Sequence, residues 1–576
     1  MTVFREIKAQ VLASLGAMTA AGTLPEGLSF DAVTVEPPRD PAHGDLATNA
    51  AMVLARPAGK KPRDIAAALA EDLASAPGIR MASVAGPGFL NLRLDPAIWQ
   101  GVALQVLGAG AGYGRGVPGQ GRVNVEYVSA NPTGPLHVGH TRGAVFGDAL
   151  ASLLDFAGFD VTREYYINDG GGQVDVLARS VFYRYLEAHG QAVTLPEGTY
   201  PGDYLIPVGA ALKAKVGDAY IGQDESVWLE DVRSFATDAM MALIRADLAA
   251  LGVTMDVFFS EKSLYGTGRI EASLTDLGNK GLIYRGTLEP PKGKLPEDWE
   301  PREQTLFRST EHGDDIDRPV KKSDGTWTYF APDIAYHFDK VSRGYDRLID
   351  VFGADHGGYV KRMKAAVSAL SAGQVPLDIK LTQLVKLYKD GAPFKMSKRA
   401  GTFVTLRDVL DQVGPDVTRF VMLTRKNDAP LDFDFDKATV LSLSYPVSFA
   451  QSALACLAAV LAMPPGFAGD TALAAADVGL LDHAAELELL RKLAEWPRLV
   501  AAAADAHEPH RIAFYLYDLA SLFHGYQHLG KMDPGMRFLT DGQPDLTAAR
   551  LALIRAVQLV IRAGLGILGV TPRDEM

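Results

Sequence analysis

Two short runs in this chain carry side chains that packing alone does not call for. The first is HVGH, His137 to His140, inside SANPTGPLHVGHTR at residues 129–142. Two imidazoles around Gly139 suit a metal pair, a solvated surface pair or a phosphate holder. A metal site needs three or four converging ligands, and nearby the sequence offers only Asp148 beyond the two histidines. The phosphate reading explains more. The run falls where a strand should turn into a helix, and there free N–H groups and the helix dipole favour an anion. Gly139 leaves room for a flat base, and both rings can donate to a phosphate and to its transition state. The second run is KMSKR at residues 395–399, set between Gly391 and Gly401. Lys395, Lys398 and Arg399 on one short loop suit the neutralisation of a departing pyrophosphate, and the flanking glycines suit hinges. A basic surface loop is the rival; the pairing of the two runs sets it aside.

The surrounding elements must bring these runs together across some 255 residues. VNVEYVSA alternates as a strand, NPTGP is a turn, and HVGHTRGAVFGDALASLLDFAGF has helical spacing that ends near Gly158. DVTREYYIND is the next strand. Strand, loop, helix, strand of this length is a βαβ unit. The expected fold class is therefore α/β, with a Rossmann-like, doubly wound parallel-sheet domain over residues 120–436. Residues from about 176 to 300 read as a mostly helical insertion. Residues 1–110 read as a small N-terminal α/β module, and 437–576 as a C-terminal α-helical bundle. The glycine-dense run 108–121, GAGAGYGRGVPGQG, reads as a flexible linker.

Composition narrows the class. A chain of 576 residues needs several cores. No apolar stretch reaches the roughly 18–20 residues that cross a bilayer. The N-terminal segment carries Arg5, Glu6 and Lys8 and reads as an amphipathic helix, not a signal peptide. The single cysteine, Cys456, excludes an intrachain disulfide framework and a Cys-rich zinc site. A cytoplasmic location is the expectation. The net charge of −12 gives no support for nucleic-acid binding, but local basic runs such as ARPAGKKPRD and YVKRMK can exist on an acidic protein.

HVGH paired with KMSKR resembles the signature pair of class I aminoacyl-tRNA synthetases. The longer stretches VEYVSANPTGPLHVGHTRGA, YYINDGGGQVDVLAR, YFAPDIAYH, GADHGGYVKRMKAA and the ending GLGILGVTPRDEM resemble arginyl-tRNA synthetases, over nearly the whole chain. The resemblance implies ATP-dependent ligation of L-arginine to tRNA-Arg. Arginine's carboxylate attacks the ATP α-phosphate, giving arginyl-adenylate and pyrophosphate. The arginyl group then passes to the 2′-OH of the tRNA's terminal adenosine, and AMP leaves.

It also implies roles. His137 and His140 would hold ATP phosphates, Gly139 would face the adenine, and Lys395 and Lys398, with Met396 and Ser397 in the same loop, would grip the β- and γ-phosphates. Mg2+ would arrive with ATP. Tyr329 and Asp333 would line the arginine site, with Asp333 on the guanidinium, whose planar fork of donors matches a carboxylate. Glu126, Ser129 and Asn131 would contact the α-amino and carboxylate end or order the pocket. Glu261 is a second guanidinium acceptor and His356 a polar substrate contact. In the N-terminal module, Phe89 and Asn91 match an aromatic and an amide that read a D-loop base by stacking and hydrogen bonding; core packing is the rival for Phe89. In the bundle, Tyr515 and Tyr526 are candidate RNA-facing aromatics, with bundle core as the rival. The implied state is a monomer, with no membrane partner and no zinc.

One stretch departs from the family. The first bundle helix there usually reads NPVxYVQYAHAR; here YPVSFAQSALAC brings Tyr445, Ser448, Ser452, Leu454 and Cys456. That departure alone supports a rival, a tRNA-binding protein that has lost catalysis. Intact HVGH, KMSKR and Asp333 speak against it. A class I synthetase for another amino acid is the third reading, and the SANPTGP and YFAPDIAYH contexts favour arginine over it.

Overall fold

The computed structural model describes residues 2–288, 302–393, 404–439, 446–462 and 469–575. Its central element is a five-stranded parallel sheet. In spatial order the strands are Leu377–Thr382, Arg347–Gly353, Arg122–Glu126, Asp160–Ile167 and Val257–Ser260. Counted along the chain this order is 5-4-1-2-3. The first strand is buried at four of its five positions, as expected of a parallel sheet covered on both faces. The order reverses between the first and fourth strands, and ligands bind beyond the carboxyl ends of such a switch point. From the first strand the chain turns into helix Val138–Phe156, which HVGH opens. The fourth strand runs into the GADHGGY turn at 354–359.

The range read as a helical insertion divides in two. Helices Gln173–Ala188, Ile206–Val216 and Glu225–Ala250 build a satellite core, with Phe182 stacked on Trp228 at 3.8 Å. The chain then returns to the sheet as strand Val257–Ser260. Four residues, VFFS, carry no alternation that would announce a strand. Beyond them, helix Arg269–Asn279 and three antiparallel strands, Ile283–Gly286, Gln304–Phe307 and Arg318–Lys321, lead to helix Phe330–Ser342.

The N-terminal module packs helices Val3–Ala20, Ala50–Ala58 and Pro62–Leu73 on an antiparallel sheet. Its strand order is Val35–Glu36, Leu46–Thr48, Phe89–Leu94, Ile79–Ala85. Helix Pro96–Ala109, capped by Asp95, packs instead on bundle helices Ala484–Ala506 and Pro544–Ile567. Its Gln100 donates to the carbonyls of Gly479 and Leu481 at 3.1 and 3.0 Å.

The glycine run at 108–121 is not a flexible linker. Tyr113 is buried, its hydroxyl donates to Leu493 O at 3.3 Å, and Trp496 Nε1 donates to its carbonyl at 2.9 Å. A Cβ at Gly116 would lie 1.9 Å from Ala157 O. The glycine there permits a close backbone approach to the end of the HVGH helix.

The bundle consists mainly of helices Pro446–Ala462, Ala484–Ala506, His510–Met532 and Pro544–Ile567. It meets the parallel sheet where His507 pairs with Asp378 on strand Leu377–Thr382 at 2.7 Å. Among the described residues, no helix is long and apolar enough to cross a membrane.

Candidate active site

Two helix starts face the switch point, and the sequence explains each. His137 is the N-cap of helix Val138–Phe156, in extended conformation. Its Nδ1 accepts the Gly139 N–H at 3.1 Å, and His140 Nδ1 accepts the His137 N–H at 3.3 Å. The two histidines thus form a reciprocal capping box, with rings stacked at 3.8 Å. In a neutral imidazole an accepting Nδ1 puts the proton on Nε2. Both rings therefore turn an N–H donor away from the helix end. Gly139 has a local reason as well: a Cβ there would lie 2.8 Å from the His137 ring. Asp148 is no third ligand, since it lies about 12 Å further along the axis and bonds to Tyr127, Arg163 and Arg419.

Lys395, Met396, Ser397, Lys398 and Arg399 lie outside the described residues, but the chain on either side of them is anchored to the HVGH helix. On the C-terminal side, the Val138 N–H donates to Val404 O and the Leu406 N–H to Leu136 O, at 3.2 and 2.7 Å. His137 bridges Thr405 between them. On the other side, buried Arg142 donates to Gln383 O at 3.0 Å, and also to Lys426 O and Ala429 O at 2.8 and 2.7 Å. Burial pushes this guanidinium down to about 10, against the opposing pull of Asp428.

Strain marks the turn after the first strand. Val128 and Ser129 have φ of 70° and 39°, a left-handed region costly for a β-branched residue. Side chains hold the turn. Ser129 Oγ donates to Glu126 at 2.9 Å and accepts the Tyr166 N–H at 3.1 Å; Asn168 donates to Ser129 O. Asn131, read as a substrate contact, donates to Gln173 at 2.7 Å and stays exposed.

The second helix start carries the acid. Asp333 sits in the first turn of helix Phe330–Ser342, and its carboxylate accepts from Tyr359 at 3.0 Å. Burial pushes that carboxyl up to about 7. The His337 ring and the Tyr359 hydroxyl pull it down, while Glu261 and Glu126 push it higher. Glu261 accepts from Tyr265 at 2.9 Å and is likewise raised by burial. A Cβ at Gly170 would come within 3.0 Å of Tyr265 and Glu261, so glycine lets the backbone approach them. Tyr329 is 79% exposed at the cleft's edge. His356 is also exposed, 3.6 Å from Asp355.

Beneath the cleft lies a charge network the sequence reading missed. Lys340 donates to Glu126 and Asp350 at 2.5 and 2.9 Å, and His337 meets Asp350 at 2.9 Å. Arg343 grips Glu164 through two bonds of 2.8 and 2.9 Å, and Asn124 and Tyr336 donate to the same carboxylate. Glu126, expected at the substrate, is thus already engaged by Lys340 and Ser129. Glu126, His337 and Asp350 lie close enough to share a metal ion, but the Lys340 ammonium already sits between the two carboxylates. A signal for this network existed: Asp350 and Glu164 are charges set among the apolar residues of strands RLIDVFG and DVTREYYI. Such charges are almost never fully buried unless paired. Among the described residues, neither Asp333 nor Glu261 pairs with a lysine or arginine; Lys340 and Arg343 are taken by their neighbours.

The remaining candidates separate. Phe89 is 43% exposed and shares the outer face of its strand with Asn91, which is itself nearly buried beside Ala47 and Ser83. Tyr515 and Tyr526 are not RNA-facing. Both are buried, with hydroxyls donating to Lys492 O and Glu486 at 2.7 and 2.6 Å. Helical phase decides this: Phe514 and Tyr517, one and two residues from Tyr515, are the aromatics left exposed.

A 5-4-1-2-3 parallel sheet with a histidine-capped helix at its switch point, stitched to the chain that carries KMSKR, is the catalytic architecture of a class I aminoacyl-tRNA synthetase. Comparison with known proteins narrows the class. Residues 5–94 match the arginyl tRNA synthetase N terminal domain, residues 104–195 the class I (R) tRNA synthetase catalytic domain, and residues 467–576 the DALR anticodon binding domain. Arginine–tRNA ligases of Roseobacter denitrificans and Ruegeria pomeroyi are each 71% identical over 100% of both chains. A structure of a putative arginyl-tRNA synthetase from Campylobacter jejuni is 31% identical, with a TM-score of 0.72 over 84% of this chain and 100% of that one. The Thermus thermophilus arginyl-tRNA synthetase shares the fold, with a TM-score of 0.74 over 100% of both chains at 20% identity. The chain belongs to the arginyl-tRNA synthetase family.

Proposed function

We propose that the acidic cleft at the switch point is the arginine site of the arginine–tRNA ligase reaction, with Asp333 on the guanidinium and Glu261 beside it. The observation that carries this is charge. The deeper carboxylates, Glu126, Glu164 and Asp350, form ion pairs with Lys340 or Arg343; among the described residues, Asp333 and Glu261 form no ion pair with a lysine or arginine. Arginine supplies a planar cation that a carboxylate binds through two parallel bonds. Citrulline, neutral and of similar shape, would leave the acid unanswered, and lysine would fill only one side of the fork.

The HVGH helix end takes the ATP phosphates. The helix dipole and the two imidazoles, each with its proton on Nε2, suit an anion whose charge grows as pyrophosphate departs. Little covalent chemistry is asked of the protein: the arginine carboxylate attacks the α-phosphate, and positioning and charge do the rest. Lys395 and Lys398 complete the phosphate clamp, with Met396 and Ser397 carrying them. Mg2+ arrives on the ATP phosphates, because Lys340 already occupies the carboxylate group beneath. Glu126 and Ser129 order the strained turn against the substrate's α-amino end, while Asn131, Tyr329 and His356 border the entrance. Phe89 stacks on an unpaired tRNA base, with Asn91 at its edge. The enzyme acts as a cytoplasmic monomer.

The test is aminoacylation of tRNA-Arg with arginine, lysine or citrulline, together with arginine-dependent pyrophosphate exchange in the presence of tRNA. Charging with arginine alone is expected. Phe89→Ala should raise the KM for tRNA about 5- to 100-fold, the worth of one stacked base, and leave the arginine KM in place. An unchanged tRNA KM removes Phe89 from the RNA surface.

A further inference from the structure

His337 lies one helical turn below Asp333, and both of its ring nitrogens face oxygen acceptors. Nδ1 is 2.8 Å from the Asp333 carbonyl and Nε2 is 2.9 Å from the Asp350 carboxylate. A carbonyl only accepts. Asp350 is held below the usual carboxylate range, despite burial, by Lys340 and His337, so it too only accepts. A neutral imidazole donates once, whereas the imidazolium donates twice. The site therefore fits a charged ring. Other groups facing this ring are Lys340 and Tyr336 on its own helix and Glu126 on the neighbouring strand. Glu126 and Asp350 both meet Lys340, so the cluster around His337 pairs two carboxylates with one ammonium. One further positive charge balances it.

We propose that His337 is a positioning residue for arginine recognition: as an imidazolium clamped between Asp350 and the Asp333 carbonyl, it fixes the first turn of helix Phe330–Ser342 and keeps the Asp333 carboxylate ready for the guanidinium. This rests on the reading of Asp333 as the guanidinium acceptor. Two effects act together. The bond to the carbonyl sets where the Asp333 backbone sits, and the positive charge favours the ionised acid. Among the described residues, the other groups coupled to Asp333 are acids and phenols: Tyr359, Glu261 and Tyr265 from the flanking turns, and Glu126 and Tyr166 from the sheet. Arg362 lies against the Tyr359 ring. His337 is the basic side chain that acts on the acid. Lys340 takes no part in the bond to the Asp333 turn; it locks Glu126 and Asp350.

The experiment compares wild type, His337→Gln and Asp333→Asn as full-length enzymes, by arginine-dependent pyrophosphate exchange with tRNA between pH 5.5 and 8.5. Gln keeps one donor and loses the charge. His337→Gln should raise the arginine KM about tenfold at pH 7 and move the acid limb of kcat/KM for arginine up by about one pH unit, a tenfold change in the acid's ionisation. The ATP KM should stay within about twofold. If His337→Gln raises the arginine KM equally at every pH, the side chain is only a structural brace and the proposal falls. An unchanged arginine KM overturns it as well. If instead Asp333→Asn leaves the arginine KM unchanged, the reading of the arginine site has failed, which is a distinct outcome. Should His337→Gln not fold, 15N spectra of histidine-labelled wild type decide the charge. An imidazolium that persists above pH 7.5 and disappears from the spectrum of Asp350→Asn supports the proposal. Twelve neutral histidines at that pH overturn it.

Discussion

Two helix starts meet at the switch point, and they are built in opposite ways. The HVGH end is made from backbone: N–H groups, a reciprocal histidine cap, and a short bridge to the chain around Thr405. Its side chains are held by their own helix. The Asp333 end is made from side chains on separate segments, most of them half-buried, and its acid is pushed up to about 7 before any substrate is present. An anion site needs donors; at this helix start the first N–H groups are taken by Val404 O, His137 Nδ1 and His137 O, and the dipole and two imidazoles remain. A selective cation site needs unpaired carboxylates, which no local element supplies cheaply. With two like imidazoles against one acid, the proposed phosphate end should tolerate the loss of one side chain better than the proposed arginine end.

The largest test of that contrast is Asp333→Asn. It should lower kcat/KM for arginine about 10³-fold or more, the scale of breaking a buried charge pair at roughly 3–5 kcal/mol. The ATP KM should barely move. A loss under tenfold would erase the contrast. Next is His140→Ala. Removing one proposed phosphate donor should lower kcat about 10²-fold, and losing the reciprocal half of the capping box should cost up to about 1 kcal/mol of stability, seen in thermal unfolding. If kcat falls as far as in Asp333→Asn, the helix end is less redundant than its paired imidazoles imply.

The third test is pH. With Asp333 on the guanidinium as proposed, arginine affinity should rise as pH rises, by about tenfold per unit below about 7 and flattening above it. The same raised acid works against stability. Its folded form binds a proton that the unfolded chain releases at the ordinary carboxylate pKa. Its contribution is therefore fully present below about pH 4 and is lost as pH rises through about 7. Added arginine should restore stability most at pH 8 and least at pH 5, by calorimetry. ATP does not meet this carboxyl, so its affinity should not rise with pH as that of arginine does. The smallest test is Tyr359→Phe, which removes one hydroxyl bond to Asp333. It should raise the arginine KM about 2- to 10-fold, the worth of roughly 0.5–1.5 kcal/mol; no change would mean that bond is broken on substrate binding.

Much of the build of the HVGH helix start was legible in the sequence. HVGH after an alternating strand, the glycine in its middle, and KMSKR far downstream all follow from local rules of strand, turn and helix start. The three-part division was legible too, because helical bundles and βαβ units have distinct periodicities. Other features were not. Whether Tyr515 or Tyr517 faces solvent depends on which side of helix His510–Met532 the bundle covers, and two residues of phase reverse the answer. The glycine run at 108–121 has the composition of a linker; only its neighbours, Trp496 and Ala157, make it a seam.

The sequence by itself determined the chemistry available: two imidazoles at a helix start, a cation-rich loop, and an acid, Asp333, within a recognisable stretch. Tertiary structure alone decided which charges remain for substrate. Glu126, Glu164 and Asp350 look no different from Asp333 and Glu261 in the sequence. Folding sets Lys340 and Arg343 against the first three and leaves the other two without such a partner among the described residues. The physical reason is that buried charges are settled by neighbours within a few ångströms, and here those neighbours lie up to 214 residues apart.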